Sequence, residues 1–157
     1  MKGMNTMSKK MSVMGVGHKI ALPTLLWLAA AEALSLVFKP AFSISGDRQT
    51  LLIIGLALIV VGFSLNLAAA FTMLKATKDR KLATTGLYSV FRDPMYTVMI
   101  CLTLPGLFLL FNSWLVLLGV IPAYLAYRVF VKEEHKYLEG LYGEQYRDYV
   151  KKVPVKI

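Results

Sequence analysis

The sequence is poor in residues that bind metals or form covalent cross-links. Its single cysteine, Cys101, lies inside an apolar segment, which excludes a disulfide framework, a paired redox motif and a thiolate metal site. The two histidines, His18 and His135, are far apart in the chain and lack the spacing of metal ligands, so a zinc site is not indicated. No internal repeat or low-complexity linker divides the chain.

Hydrophobic residues, by contrast, make up 57% of the 157 residues, and the mean hydropathy is +0.58. This is more apolar surface than a soluble domain of this size can bury. Four apolar segments are long enough to cross a hydrocarbon core of ~30 Å, which takes roughly 17–25 helical residues; they lie at 20–38, 50–74, 94–111 and 114–131. We therefore predict an all-α, polytopic integral membrane protein with about four transmembrane helices.

The rest of the chain is too short for a separate soluble domain, so we predict a single domain over residues 1–157. Its parts are a leader at 1–19, a transmembrane region at 20–131 and a polar tail at 132–157. The tail should break near Gly143 and continue as a short amphipathic helix that ends at Pro154. Cleavage of the leader as a signal peptide is disfavoured, because the apolar run continues beyond the small residues of "LAAAEA".

The net charge of +9 is distributed as a topology signal rather than as a nucleic-acid surface. Four basic residues precede the first segment, two separate it from the second, five separate the second from the third, and seven follow from Arg128 onward. If both termini face the cytoplasm, 16 of the 18 basic residues are inside, as the positive-inside rule requires. We therefore expect cytoplasmic termini, membrane lipids as partners and no nucleic acid.

The third and fourth segments are joined only by "NS" at residues 112–113, which predicts a tight antiparallel helical hairpin. Each of the two contains an internal proline, Pro105 or Pro122, which removes a backbone hydrogen bond and bends a membrane helix. Two bent helices side by side leave a cavity between them. In the second segment, Gly55 and Gly62 favour the close approach of a neighbouring helix.

Glu32 lies deep in the first segment, where an ionisable side chain is costly to expose to lipid. We therefore expect it to face protein or water. Two interpretations are open. Glu32 either pairs with a neighbouring helix or reaches toward the outer face, or else it lines a substrate path.

Two polar clusters lie at the open end of the hairpin. The first, "GLYSVFRDPMY", leads into the third segment, and the second, "EEHKY", follows the fourth. Because an even number of crossings separates them, both clusters lie on the same membrane face, and the hairpin brings them together. Polar groups that converge at the mouth of an apolar cavity predict a ligand site.

Structural roles also account for the first cluster. Asp93 and Pro94 form a good helix start, with the aspartate as N-cap and the proline at the first helical position. Gly86 supplies a turn, while Tyr88 and Tyr96 suit the aromatic belt of a membrane protein.

The second cluster has comparable structural explanations. Glu133 can pair with Lys136 three residues on, and Glu134 can simply be solvated. Adjacent helical residues point roughly 100° apart, so both carboxylates cannot serve one ligand atom. If they are functional, one faces the cavity and the other fixes a base such as Arg92 or Arg128.

Together the two clusters resemble those of the membrane methyltransferases typified by isoprenylcysteine carboxyl methyltransferase and phospholipid N-methyltransferase. Their pattern runs Gly-x-Tyr, Arg-His-Pro-x-Tyr, a helical hairpin, Glu-Glu, a leucine, an aromatic-Gly pair, two spaced tyrosines and Val-Pro. The resemblance covers about residues 84–154, and the family histidine is replaced by Asp93. The matching residues are Gly86, Tyr88, Arg92, Pro94, Tyr96, Glu133, Glu134, Leu138, Tyr142, Gly143, Tyr146, Tyr149, Val153 and Pro154.

The resemblance implies S-adenosylmethionine as the cofactor and a lipophilic acceptor that enters from the bilayer. Carboxylates suit the cofactor's amino group and sulfonium, Arg92 suits its carboxylate, and Tyr146 or Tyr149 suits its adenine. No glycine-rich Rossmann fingerprint is present, so the fold is not that of the soluble methyltransferases. The implied catalytic residues are Arg92 and Glu134, no metal is implied, and the implied cofactor-binding residues are Gly86, Tyr88, Arg92, Asp93, Pro94, Tyr96, Glu133, Glu134 and Tyr146.

The leading hypothesis is methyl transfer to a lipophilic acceptor of the isoprenylcysteine type at the cytoplasmic face, where a carboxylate or thiolate acceptor needs no general base. The alternative is phospholipid N-methylation, in which Glu134 or Asp93 takes a proton from the amine. A hypothesis of another class is a non-enzymatic membrane packing protein whose motif residues serve only as helix caps and anchors.

Overall fold

The computed structural model describes residues 16–44 and 46–154, and all regular structure in these ranges is helical. The predicted leader at 1–19 falls mostly outside the described residues. The helices are α1 (Gly17–Val37), α2 (Lys39–Phe42), α3 (Arg48–Lys78), α4 (Pro94–Val98), α5 (Leu104–Leu109), α6 (Trp114–Leu117), α7 (Val120–Tyr142) and α8 (Glu144–Lys152), with a 3₁₀ turn at Gly86–Ser89 and a π-helical turn at Met99–Thr103.

Three stretches of the described chain are long and apolar enough to cross a membrane, namely Gly17–Val37, Arg48–Lys78 and Trp114–Tyr142. A fourth apolar helix, Pro94–Leu109, is shorter and is interrupted by the π-helical turn. Pro105 explains the interruption, because its nitrogen has no hydrogen to donate and its ring displaces the carbonyl of the residue four positions earlier. The all-helical membrane fold predicted from the sequence is confirmed, with three helices of membrane length in the described ranges.

Helix α3 packs closely along the interrupted helix Pro94–Leu109, and glycines make this possible. A Cβ atom built on Gly62 would lie 2.5 Å from the Thr103 hydroxyl oxygen. At Gly55 and Gly106, a Cβ atom on either residue would lie 2.7 Å from the carbonyl oxygen of the other. The backbones therefore meet where no side chain fits, as the sequence predicted for Gly55 and Gly62.

The main buried cluster joins α1, the π-helical turn and α7, and it contains Ile20, Ile100 and Tyr127. The opposite surfaces of the long helices are apolar and exposed, as at Ile53, which is 62% exposed, and Leu125, which is 58% exposed. A soluble protein rarely exposes so many large apolar side chains. These surfaces are the ones that a lipid bilayer would cover.

The predicted hairpin turn lies between α5 and α6. Asn112 adopts a positive φ of 50°, and the Ser113 hydroxyl caps α6 by accepting from the Val116 amide at 3.3 Å. The same hydroxyl lies 2.6 Å from that of Ser35, near the end of α1. The hairpin turn and the C-terminal end of α1 therefore share one end of the helix bundle.

Helix α7 continues well beyond the predicted membrane exit at residue 131, up to Tyr142. The chain then breaks at Gly143, whose φ of +54° favours glycine, and resumes as α8. One face of α8 buries Tyr146 and Tyr149, and these pack with Leu82. The predicted break and the short amphipathic helix are both confirmed, and α8 covers the loop that precedes α4.

Candidate active site

The two polar clusters meet through Asp93, as their shared end of the hairpin predicted. The Tyr127 hydroxyl donates to Asp93 Oδ2 at 2.8 Å, and His135 Nε2 lies 2.9 Å from Oδ1 and 3.0 Å from Oδ2. The aspartate is only 7% exposed. Its carboxylate is thus satisfied by two side chains of α7.

The prediction that the Asp93 side chain caps α4 was therefore wrong. Asp93 does precede Pro94 at the helix start, but its side chain makes no capping hydrogen bond. A buried carboxylate takes the strongest donors within reach. Those donors are on α7 rather than at the first turn of α4.

His135 is not among the predicted site residues, because the two histidines of the sequence lack metal-ligand spacing. His135 directly follows the Glu-Glu pair. Because Asp93 replaces the family histidine, a histidine elsewhere in the two clusters is a candidate to supply the missing imidazole, and this signal indicates His135. An ionised Asp93 accepts hydrogen bonds only, and His135 Nε2 is then the donor. The other ring nitrogen, Nδ1, is left as the one that can accept a proton.

The two adjacent glutamates point to different surroundings. Glu134 Oε2 accepts from the Tyr96 hydroxyl at 2.8 Å, and that hydroxyl in turn accepts from the Val16 amide at 3.2 Å. Glu133, whose side chain is 54% exposed, pairs with Lys19 Nζ at 2.5 Å. As helix geometry predicted, the two carboxylates have different partners. The base that Glu133 binds is Lys19, however, and not Lys136, Arg92 or Arg128.

Arg92 is directed to the end of α8 and not to a carboxylate. Its Nη2 lies 3.1 Å from the carbonyl oxygen of Val150 and 3.3 Å from that of Val153. The last carbonyls of a helix have no partner within the helix, so the guanidinium caps α8 and ties it to the loop before α4. A role for Arg92 in binding a cofactor stays a prediction.

Tyrosines hold the same loop in place. The Tyr149 hydroxyl donates to the Tyr88 carbonyl at 2.8 Å, and burial raises the pKa of Tyr149 to about 12. The pKa of Tyr88 is also raised, first by burial and then by the charge of Glu134. Gly86 begins the loop's 3₁₀ turn with a φ of +61°. Both tyrosines thus stay protonated and uncharged at neutral pH.

Tyr146 differs from its neighbours because its hydroxyl is buried without a hydrogen-bond partner among the described residues. The residue is 4% exposed, and its ring centroid lies 6.2 Å from that of His135. Burial, with the charge of Asp93 second, raises the pKa of Tyr146, so the hydroxyl remains a donor. A buried hydroxyl that forms no bond is costly, and a ligand atom that accepts from it would remove that cost.

The residues at this junction fit the cofactor that the sequence resemblance implies. Asp93 and Glu134 supply the negative charge that an ammonium and a sulfonium attract. Tyr146 supplies an unused donor and an aromatic face next to them. Among the described residues, no group of three or more histidine, cysteine, aspartate or glutamate side chains is placed to hold a metal ion.

Comparison with known proteins adds a family match. The family model described as phospholipid methyltransferase matches residues 50–145, from the first turn of α3 to the first turn of α8. This range contains both polar clusters and His135, whereas α1 and Tyr146 lie outside it. No curated protein and no solved structure matches the chain.

Proposed function

Because the chain belongs to the phospholipid methyltransferase family, we propose that it methylates the headgroup amine of a phospholipid, with S-adenosylmethionine as the methyl donor. The observation that carries this proposal is the contact of His135 with Asp93, next to the unpartnered hydroxyl of Tyr146. In this proposal His135 is the proton acceptor, and the Tyr146 hydroxyl is the adjacent position that a ligand atom contacts. The family match supports the reaction class, and the contact supports an amine as the acceptor.

A headgroup ammonium must lose a proton before its nitrogen has a free electron pair. When bound, S-adenosylmethionine supplies a methyl group on a sulfonium, whose sulfur leaves as a neutral thioether without the help of a metal or a proton. The proton released by the amine moves to His135 Nδ1, while Asp93 holds Nε2 and stabilises the imidazolium that results. This assigns to His135 the role that the sequence suggested for Glu134 or Asp93.

The remaining site residues have binding or positioning roles in this proposal. Glu134, held by Tyr96, attracts the positive charges of the cofactor, and Tyr146 donates to one of its polar atoms. Arg92 holds α8 in place and so positions Tyr146. If Arg92 also binds the cofactor carboxylate, its guanidinium donates both to that carboxylate and to the α8 carbonyls. Gly86, Tyr88 and Pro94 shape the loop, while the exposed pair of Glu133 with Lys19 anchors α1 to α7.

We further propose four crossings, with Pro94–Leu109 as the third, in a single domain over residues 1–157. Both termini are cytoplasmic in this arrangement, because it places most basic residues on that side. The active site then lies at the cytoplasmic face of the membrane. Attack of a neutral amine on the methyl group of a sulfonium depends on alignment, and a rigid helical site provides it.

The test is labelled methyl transfer by purified protein to three acceptors: an amine phospholipid, a prenylcysteine and a thiol. We expect transfer to the amine. His135→Ala should reduce it by about 10²- to 10⁴-fold, the range for general bases, with little change in the affinity for S-adenosylhomocysteine. His18→Ala, at an exposed histidine, is the matched control.

The outcome separates the three hypotheses. Transfer to the prenylcysteine carboxylate alone, unaffected by His135→Ala, would establish the isoprenylcysteine-type activity and refute the proposal, since that reaction needs no base. Failure to bind S-adenosylhomocysteine at all would favour the non-enzymatic packing protein.

A further inference from the structure

A polar cavity lies at the other end of the helix bundle from the candidate active site. Helix α1 is 21 residues long, roughly 30 Å at 1.5 Å per residue. Lys19, in its first turn, contacts the cluster that includes Glu133, whereas Ser35, near its last turn, contacts the hairpin turn at Ser113. The cavity, of about 160 Å³, is lined at this hairpin end by Glu32, Ser35 and Asn112 among others.

Glu32 gives the cavity an unsatisfied negative group. Its Oε2 atom is buried and has no hydrogen-bond partner among the described residues. In a helix of membrane length, a carboxylate oxygen in that situation is costly. The cost is removed if a donor, above all a cationic one, occupies the cavity.

Two cations, Lys39 and Arg48, line the same cavity. Neither takes part in any of the ion pairs found in the described ranges. The cavity therefore presents one carboxylate and two basic side chains that do not neutralise one another directly. A ligand complementary to this set carries a positive group and a negative group close together.

An apolar groove continues from the polar cavity. A neighbouring cavity of about 400 Å³ shares Glu32, Lys39 and Arg48 with the first and is lined further by Leu107 and Leu110. Its volume lies within the range of about 300–1,000 Å³ that is usual for ligand sites. Its apolar wall is formed by the last turn of the interrupted helix Pro94–Leu109 and by Leu36 near the end of α1, so a ligand held at its polar end can place the first part of an acyl chain against this wall.

We propose that this is a binding site for a bilayer phospholipid whose headgroup carries a primary amine. The ammonium binds Glu32, the phosphate lies between Lys39 and Arg48, and an acyl chain occupies the groove. An anionic phospholipid would satisfy the two cations but leave the Glu32 oxygen without a donor. The site lies at the opposite end of the bundle from the active site, and the proposal does not depend on methyltransferase activity.

The test is native mass spectrometry of the purified protein in an equimolar mixture of phosphatidylethanolamine, phosphatidylcholine and phosphatidylglycerol with identical acyl chains. The unmodified protein is compared with Glu32→Gln, because amine phospholipid held at the active site contributes equally to both and the difference reports the hairpin end alone. We expect phosphatidylethanolamine to be retained in preference to the other two. Glu32→Gln should reduce that preference by about tenfold or more, the equivalent of a lost charged hydrogen bond.

Glu139→Gln is the matched control, because Glu139 is an exposed glutamate paired with Arg147 and does not line the cavity. Lys39→Gln tests the phosphate position separately and should weaken binding of phosphatidylethanolamine and phosphatidylglycerol alike. A preference that survives Glu32→Gln, no preference in the unmodified protein, or a preference for phosphatidylglycerol would each overturn the proposal. Methyl transfer by the Glu32→Gln protein is measured in parallel and is expected to persist. Lipid binding at the hairpin end and activity at the active site are therefore tested independently.

Discussion

The imidazole of His135 lies against the carboxylate of Asp93, with Nε2 at 2.9 and 3.0 Å from its two oxygens. The two residues are 42 positions apart, on α7 and at the start of α4. In the family pattern a histidine occupies position 93. Here an acid occupies that position and an imidazole reaches it from the neighbouring helix, so the site retains an imidazole despite the replacement.

Asp93 should matter for stability through its charge rather than through capping. Asp93→Asn should lower the free energy of unfolding by about 1–3 kcal/mol, because a neutral amide replaces charge-assisted bonds to Tyr127 and His135. Asp47, which does cap α3 by accepting from the Thr50 amide, is the matched control. Asp47→Asn should be nearly neutral, since asparagine caps about as well as aspartate. Thermal unfolding of both variants in one detergent compares them, and equal small effects would restore the capping role of Asp93.

Removal of the Tyr146 hydroxyl should affect ligand binding and leave the unliganded protein intact. Tyr146→Phe should not reduce the melting temperature without ligand, because the hydroxyl has no partner to lose. It should weaken S-adenosylhomocysteine binding by about 0.5–1.5 kcal/mol, the worth of a neutral hydrogen bond. Tyr149→Phe should show the reverse, since its hydroxyl donates to the Tyr88 carbonyl. Calorimetric titration and melting curves distinguish the pair; a destabilised Tyr146→Phe protein with normal affinity would contradict the assignment.

The two adjacent glutamates should differ in their effect on cofactor affinity. Glu134→Gln removes the part-buried carboxylate beside Tyr96 and should weaken S-adenosylhomocysteine binding by about 1.5–3 kcal/mol. Glu133→Gln breaks an exposed pair with Lys19, and such pairs contribute about 0–1 kcal/mol. Isothermal titration of both variants tests the difference. Equal losses would show that Glu133 also reaches the cofactor.

The topology can be tested by cysteine labelling in a Cys101→Ser background. With four crossings and cytoplasmic termini, a cysteine at the exposed position Gly46 should react with an impermeant external reagent. A cysteine at the exposed position Thr84 should not react until the membrane is permeabilised. The opposite pattern would place the active site on the outer face and reverse the orientation.

Several features of this protein follow from the sequence alone because they depend on residues close together in the chain. Apolar runs of sufficient length predict membrane helices, and a two-residue connection forces a hairpin. Gly143 ends α7 because of its own backbone conformation. The proximity of the two polar clusters also follows, because an antiparallel hairpin places both of them at its open end.

Only the tertiary structure decided which side chains pair within the clusters. From the sequence alone, helix capping was a sufficient explanation for Asp93, and anchoring of the topology was a sufficient explanation for Arg92. The packing of α7 and α8 offered stronger partners, namely Tyr127 and His135 for the first residue and the carbonyls at the end of α8 for the second. These partners are 34 to 61 positions away in the chain. A buried polar group takes the best donors or acceptors that packing brings near it, and the identity of those groups is set by the helix arrangement.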